Sequence, residues 1–328
     1  MALRDTLLPY VSWCLSQLEK SSTDKAIDEA IKDAFLKMDA RIMGPAERCA
    51  RSEDLPQCSA EAIMTLAPAM TGSGALVAAF DADTSTLRVA LTGDARAVLG
   101  RWCPKKNAHT MDALTEDQNG FNAKEISRLD KEHPGEIDRI INRQSGKLMS
   151  SCVTRSFGDH RWKWPGDLVQ SVAERFFGYD RLSGDYPTPS YLTASPEVTT
   201  RKVRPKDFLI LASGGLWNHI SRETAVECVS RWVAAKRTGG PEEVQEVETV
   251  FPLVGPYSYP TWGTSPQYFA IEDMDNAAIC LAKNALGGSR RNMFRGMMSL
   301  VSPFSHLARE DISIQVMFFE DPHLDPAG

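Results

Sequence analysis

The sequence predicts an α+β fold, on three observations. Helical apolar stripes fill residues 1–42, and short strand-like apolar runs recur between residues 75 and 318. These strands and helices do not follow the regular strand–helix alternation that a doubly wound parallel sheet needs.

The elements follow in chain order. Leu7, Leu8, Val11, Leu15 and Leu18 make a helical stripe within residues 1–20. Ser22 and Thr23 offer N-caps, and Asp24 sits in the first turn, where a negative charge suits the helix dipole. Ile27, Ala30, Ile31, Ala34, Phe35, Met38 and Ile42 then recur at i, i+3, i+4 spacing, and Pro45 is expected to close that helix. Ala75 to Phe80 and Leu87 to Leu91 read as strands joined by the turn-rich segment Asp81 to Ser85. Leu87, Val89 and Leu91 alternate with Arg88, Ala90 and Thr92, so one buried face is expected. The continuous run Phe208 to Ala212 suits a strand covered on both sides. Ser221 caps a helix carrying Ala225, Val226, Val229, Trp232 and Val233 on one side. Ile312, Ile314, Val316 and Phe318 alternate in a last strand. Residues 165–195 and 239–272 are rich in Pro, Gly and Tyr and read as long loops. One domain is expected over residues 1–320, with a flexible tail at 321–328.

Composition limits the function classes. The 328 residues carry 37 Lys+Arg against 43 Asp+Glu, a net charge of −6, which argues against nucleic acid as the main partner. With 42% hydrophobic and 24% charged residues, the chain is neither disordered nor collagen-like. No stretch approaches the ~18 apolar residues of a membrane span. The 7 cysteines are scattered without C-x-x-C spacing and read as reduced thiols. The opening Met1-Ala2-Leu3-Arg4-Asp5 lacks the layout of a secretory signal or a mitochondrial presequence. A cytoplasmic location is therefore expected for the chain as written.

Common catalytic motifs do not occur: there is no G-x-x-x-x-G-K-[ST], G-x-S-x-G or H-E-x-x-H, and the 6 histidines form no zinc pattern. Thr71-Gly72-Ser73-Gly74 reads as a small-residue turn. What remains is carboxylates beside strands: Asp94 after one strand, Asp159 in Phe157-Gly158-Asp159, and Glu310-Asp311 before the last strand. Converging carboxylates are how proteins hold Mg²⁺ or Mn²⁺, which prefer oxygen ligands. Arg290, Arg291 and Arg295 with Met293, Met297 and Met298 form a basic, Met-rich segment that reads as an outer-layer insertion. Trp162-Lys163-Trp164 reads as a half-buried loop anchor.

Together these segments resemble the metal-dependent type 2C protein serine/threonine phosphatases. Gly72-Ser73-Gly74-Ala75 is similar to the family's G-S-T-A. Leu91-Thr92-Gly93-Asp94-Ala95-Arg96-Ala97-Val98-Leu99 is similar to N-x-G-D-S-R-A-V-L, and Leu114-Thr115-Glu116-Asp117 to L-T-x-D-H. Thr154-Arg155-Ser156-Phe157-Gly158-Asp159 resembles S-R-x-F-G-D. Pro196-Glu197-Val198, then Phe208 to Trp217, resembles P-E-V followed by F-L-I-L-A-S-D-G-L-W, and Glu310-Asp311-Ile312-Ser313 resembles D-N-M-T. His133-Pro134, Trp162-Lys163-Trp164, Tyr191-Leu192-Thr193-Ala194 and the helical insertion at Asp275-Asn276-Ala277-Ala278 are similar to the pyruvate dehydrogenase phosphatase branch.

The resemblance implies a four-layer α-β-β-α sandwich, here incomplete at its N-terminal strands. It also implies two Mg²⁺ or Mn²⁺ ions that activate a bridging water against a phosphoester. The family's Glu-Asp pair and Asp-Gly-His-Gly motif lie upstream of anything in the given sequence. Gly214 stands where the family has a ligand Asp, and Glu310 stands where it has another. Asp94 matches a peripheral metal position, and Arg155 is a candidate phosphate contact. The expectation is a phosphatase-like protein of impaired catalysis that binds a phosphoprotein or protein partner. The alternative is an active Mg²⁺/Mn²⁺-dependent phosphatase whose N-terminal segment precedes Met1. With a presequence there, its location would be the mitochondrial matrix.

Overall fold

The computed structural model describes residues 3–53, 59–176, 188–248 and 264–321. The expected tail lies outside the described residues from 322 onward. In chain order the helices are α1 Leu3–Ser16, α2 Asp24–Arg51, α3 Ala60–Met70, α4 Ala123–Glu132, α5 Ile137–Ile140, α6 Gly166–Phe176, α7 Gly214–Trp217, α8 Arg222–Thr238, α9 Ala277–Ala285, α10 Arg291–Ser299 and α11 Phe304–Ala308. The strands are β1 Gly72–Ser73, β2 Ala75–Asp81, β3 Thr86–Thr92, β4 Arg96–Cys103, β5 Ala108–Ala113, β6 Ile141–Asn142, β7 Lys147–Leu148, β8 Phe157–Gly158, β9 Glu197–Lys202, β10 Phe208–Ala212 and β11 Ile314–Phe318. The expected α+β class holds. Among the described residues, no helix is long and apolar enough to cross a membrane.

The chain forms two compact units. The first gathers residues 1–78, 88–94 and 116–199; the second gathers 79–87, 95–115 and 200–328.

In the first unit, Thr23 caps α2 by accepting from Ala26 N–H. The helix runs through Pro45 to Arg51 instead of stopping there. A helix-interior proline costs about 3 kcal/mol. Met43, Ala46, Cys49 and Ala50, buried against Ala62, Leu66, Val169 and Val172 of α3 and α6, offset that at about 0.8 kcal/mol per buried methylene. Strand β3 is buried at every position, so the single-faced reading is corrected. Arg88 lies under α2, its guanidinium paired with Asp24 and Asp28. Tertiary cover, with two acids to neutralise it, makes that arginine a core residue. A three-stranded sheet of order β2–β3–β9 belongs mainly to this unit, beside the small pairs β1–β8 and β6–β7. Helix α6 occupies part of the segment read as a loop, burying Leu168, Val169, Val172 and Phe176. Its apolar spacing was masked by the Pro- and Gly-rich residues around it.

The second unit is built on a four-stranded antiparallel sheet of order β11–β10–β4–β5. Strand β10, central and almost wholly buried, pairs Ile210 with Val98 on one side and Val316 on the other. Helix α8 packs on this sheet, burying Ala225, Val226, Val229, Trp232 and Val233, the face read from the sequence. Ser221 caps it by accepting from Thr224 N–H, and Gly239 ends it in the left-handed conformation. The insertion at residue 275 is helical, as expected, with Asn276 capping α9. In α10, Met293 and Met297 are buried while Met298 stays exposed.

Candidate functional site

In the second unit, the corner after β10 brings Gly214 and Glu310 into one local structure. Ser213 N–H donates to Ser313 O at 3.0 Å. Its hydroxyl donates to Asp311 O at 2.9 Å and accepts from Ser313 N–H at 2.9 Å. These bonds stitch the start of α7 to the chain leading into β11. Gly215 makes the approach possible, because a Cβ there would sit 2.6 Å from Asp311 O. The Trp217 indole N–H returns to Ala212 O at 3.1 Å, closing the turn. Glu310 is exposed, and its Oε2 accepts from Asn218 Nδ2 at 3.2 Å. Gly214, one residue past the stitch, offers no side-chain donor.

Asp94 belongs to the first unit. It is exposed in the turn after β3. Gly93 makes that turn with φ +112, and a Cβ there would meet Gly74 Cα at 3.0 Å. Gly93 N–H donates to Gln118 Oε1 at 2.8 Å, while Gln118 Nε2 donates to Leu91 O at 3.0 Å. Asp94 thus projects from a fixed backbone. Among the described residues, no group of three or more His, Cys, Asp or Glu side chains is arranged to hold a metal ion.

Arg155 turns inward. Its Nε donates to both oxygens of Glu125 at 3.0 Å, its Nη2 also bonds Glu125, and its Nη1 donates to Ser195 O at 2.8 Å. Glu125, in the first turn of α4, further accepts from Thr154 Oγ1 at 2.6 Å and Arg128 Nη2 at 3.1 Å. Burial pushes the Glu125 carboxyl up, but Arg155 and Arg128 pull harder and hold it at about 2. Arg155 therefore fixes the loop before β8 with a buried acid that the sequence reading did not single out. The only signal for it was Arg128 three residues on, an i, i+3 partner on the same helix face.

Asp159 occupies a left-handed turn at φ 59, and burial raises its carboxyl. Beside it, Lys163 donates to Asp39 Oδ2 at 2.7 Å and Ser156 O at 2.8 Å. Asp39 Oδ1 also accepts from Gly158 N–H at 2.9 Å. Burial lowers the Lys163 ammonium, and Asp39 opposes the shift. With Trp164 buried in the α2–α3–α6 cluster, Trp162-Lys163-Trp164 anchors its loop. The described cysteines Cys14, Cys49, Cys103, Cys152, Cys228 and Cys280 are free, and Cys58 lies outside the described residues.

The family model for Protein phosphatase 2C matches residues 11–248. A protein phosphatase 2C homolog of Schizosaccharomyces pombe is 36% identical over 304 residues, covering 91% of this chain and 64% of that protein. The mitochondrial [pyruvate dehydrogenase [acetyl-transferring]]-phosphatase 1 of Saccharomyces cerevisiae is 30% identical over 356 residues, covering 97% of this chain and 59% of that protein. Among solved structures, a C. elegans sex determining protein superposes with a TM-score of 0.51 at 13% identity, over 98% of this chain and 53% of that one; this likeness concerns the fold alone. The chain spans about three fifths of the length of the curated relatives it matches. This chain belongs to the protein phosphatase 2C family and stands with its pyruvate dehydrogenase phosphatase branch.

Proposed function

We propose that this chain is a catalytically impaired protein phosphatase 2C that acts by binding a phosphoprotein. Gly214 carries the reading. It lies inside the family's most regular motif, so the loss of the ligand is a property of this chain's interior. A pair of divalent cations brings four positive charges and needs roughly six oxygen ligands per ion for Mg²⁺. The matched positions supply the Glu310 carboxylate, shared with Asn218, and the peripheral Asp94 carboxylate. This donor set does not fit a pair of hard cations. Changes in outer-shell partners alone cost ~10–100-fold in metal affinity or activity. Loss of a direct ligand costs more, so turnover is reduced to a trace.

The shortfall in length against the relatives favours a second reading, in which a longer product supplies further ligands and is active. Four proteins separate the two: this chain, its Gly214→Asp variant, the chain extended upstream in the genomic frame, and that extended chain carrying Gly214→Asp. Each is assayed with Mn²⁺ on a phosphoserine peptide. The impaired reading expects trace turnover from this chain and from the extended Gly214 protein, with recovery only when extension and Gly214→Asp are combined. Robust turnover by the extended protein with Gly214 intact would establish the second reading. The mitochondrial relatives support a matrix location for such a product, which imaging of a fluorescent fusion checks.

A further inference from the structure

We infer that the Trp102 end of the second unit is a docking surface for an acidic segment of a partner protein. Strands β4 and β5 meet in a hairpin whose tip carries the exposed Lys105 and Lys106. Trp102, half-buried and paired with His109 close to that tip, is overlain by two further cations. Lys206 Nζ lies 5.6 Å from the ring centroid and the Arg237 guanidinium 5.8 Å. Arg204 is exposed in the same turn as Lys206. Among the described residues, Lys105, Lys106, Lys206 and Arg237 enter no ion pair within 4.0 Å. The nearby acid, Asp207, is buried, and its oxygens accept from Trp102 N–H at 2.9 Å and Arg204 N–H at 3.0 Å. It therefore presents little negative charge outward. In a chain of net charge −6, so local a positive surface is not a by-product of overall basicity.

The segments that carry Lys206 and Arg237 are tied together before any partner arrives. His109 Nε2 donates to Lys206 O at 2.9 Å, which ties the turn carrying Lys206 to β5. With that proton on Nε2, Nδ1 accepts from Ser230 Oγ at 2.9 Å, joining the same histidine to α8, the helix that bears Arg237. Burial lowers the His109 pKa, so the neutral ring this bonding needs persists at neutral pH. Tied backbone segments lose little freedom on binding.

The arrangement favours carboxylates on a polypeptide over other anions. Among the described residues, none of the large exposed apolar side chains belongs to the cluster's segments to enter a membrane; the nearest in sequence are Phe80 and Phe121. A base stacking on Trp102, as single-stranded nucleic acid would require, competes with the Lys206 and Arg237 contacts the ring already makes. Cations spread over a hairpin, a turn and a helix end match several carboxylates along a strand of chain. The inference does not depend on whether the chain turns over a phosphoester.

Fluorescence anisotropy with a labelled octaglutamate peptide tests it, with the octaglutamine peptide as control. Binding should be at least tenfold tighter for octaglutamate at 50 mM salt and weaken several-fold at 200 mM. The exposed pair Lys105→Gln/Lys106→Gln should weaken it several-fold, and adding Arg237→Glu should abolish it. Circular dichroism melts verify that each variant is folded; the Gln pair keeps the test valid should the Arg237 change disturb α8. Equal binding of both peptides, or octaglutamate binding that survives the variants, would overturn the inference. So would tighter binding to phosphatidylserine vesicles or to single-stranded DNA than to octaglutamate.

Discussion

Replacing Glu125 by alanine should destabilise the first unit by about 3 kcal/mol. Glu125 has 0% side-chain exposure and Arg155 10%, so neither charge has water to fall back on. Two routes give the magnitude. The carboxyl is held at about 2 against an ordinary 4.5, and 2.5 units at about 1.36 kcal/mol each give about 3 kcal/mol. Independently, removing one partner of a buried ion pair costs about 3–5 kcal/mol, because the other charge is left unpaired. The sign follows from the lowered value: the contribution is complete above pH 4.5 and fades as the pH falls toward 2. Urea unfolding followed by far-ultraviolet circular dichroism reads both features. At pH 7 the midpoint should drop at unchanged slope, and the gap from wild type should shrink on acidification below 4.5. Glu125→Ala/Arg155→Met should recover part of the loss, since it leaves no buried charge alone. A loss below about 1 kcal/mol at pH 7 would refute the argument and make Arg155 free for other work.

Other outcomes follow from the same geometry. Gly215→Ala should cost about 1–3 kcal/mol, since its Cβ would press on Asp311 O at 2.6 Å; the urea midpoint measures it. Gly93→Ala should lower the melting temperature by several degrees, because it forces a side chain onto φ +112 against Gly74. Burial and then Arg161 hold the wholly buried His160 at about 4 against 6.5, so the unfolded chain takes up a proton first as pH falls. Stability should therefore be level above pH 6.5 and drop by about 3 kcal/mol between 6.5 and 4 from this group. Calorimetry on His160→Phe should show that slope removed.

Much of the fold was legible because caps and apolar spacing act locally. Thr23 and Ser221 cap the helices that follow them, and Phe208 to Ala212 is the buried strand its composition suggests. Two of the misreadings share a cause, which is burial imposed from far away in the chain. Pro45 does not end α2 because packing on α3 and α6 outweighs its local cost, and Arg88 is interior because Asp24 and Asp28 lie above it. For the candidate site, Gly214 could be noticed from motif position alone. The Ser213–Ser313 stitch and the Asn218–Glu310 bond join residues about a hundred positions apart, and the Glu125–Arg155 fork joins residues 30 apart. No local pattern announces such pairs.

The two units alternate along the polypeptide, each assembled from three separate stretches. Neither can be cut out as one continuous piece. A nascent chain that has reached residue 115 holds only fragments of both, and the first unit must wait for residue 199. The sheet of the second gains its edge strand only when residues 314–318 emerge. Each unit therefore waits for its last stretch before it can close, with long-separated partners meeting late. A ribosome stalled before residue 314 should carry a chain that chaperones recognise as unfinished.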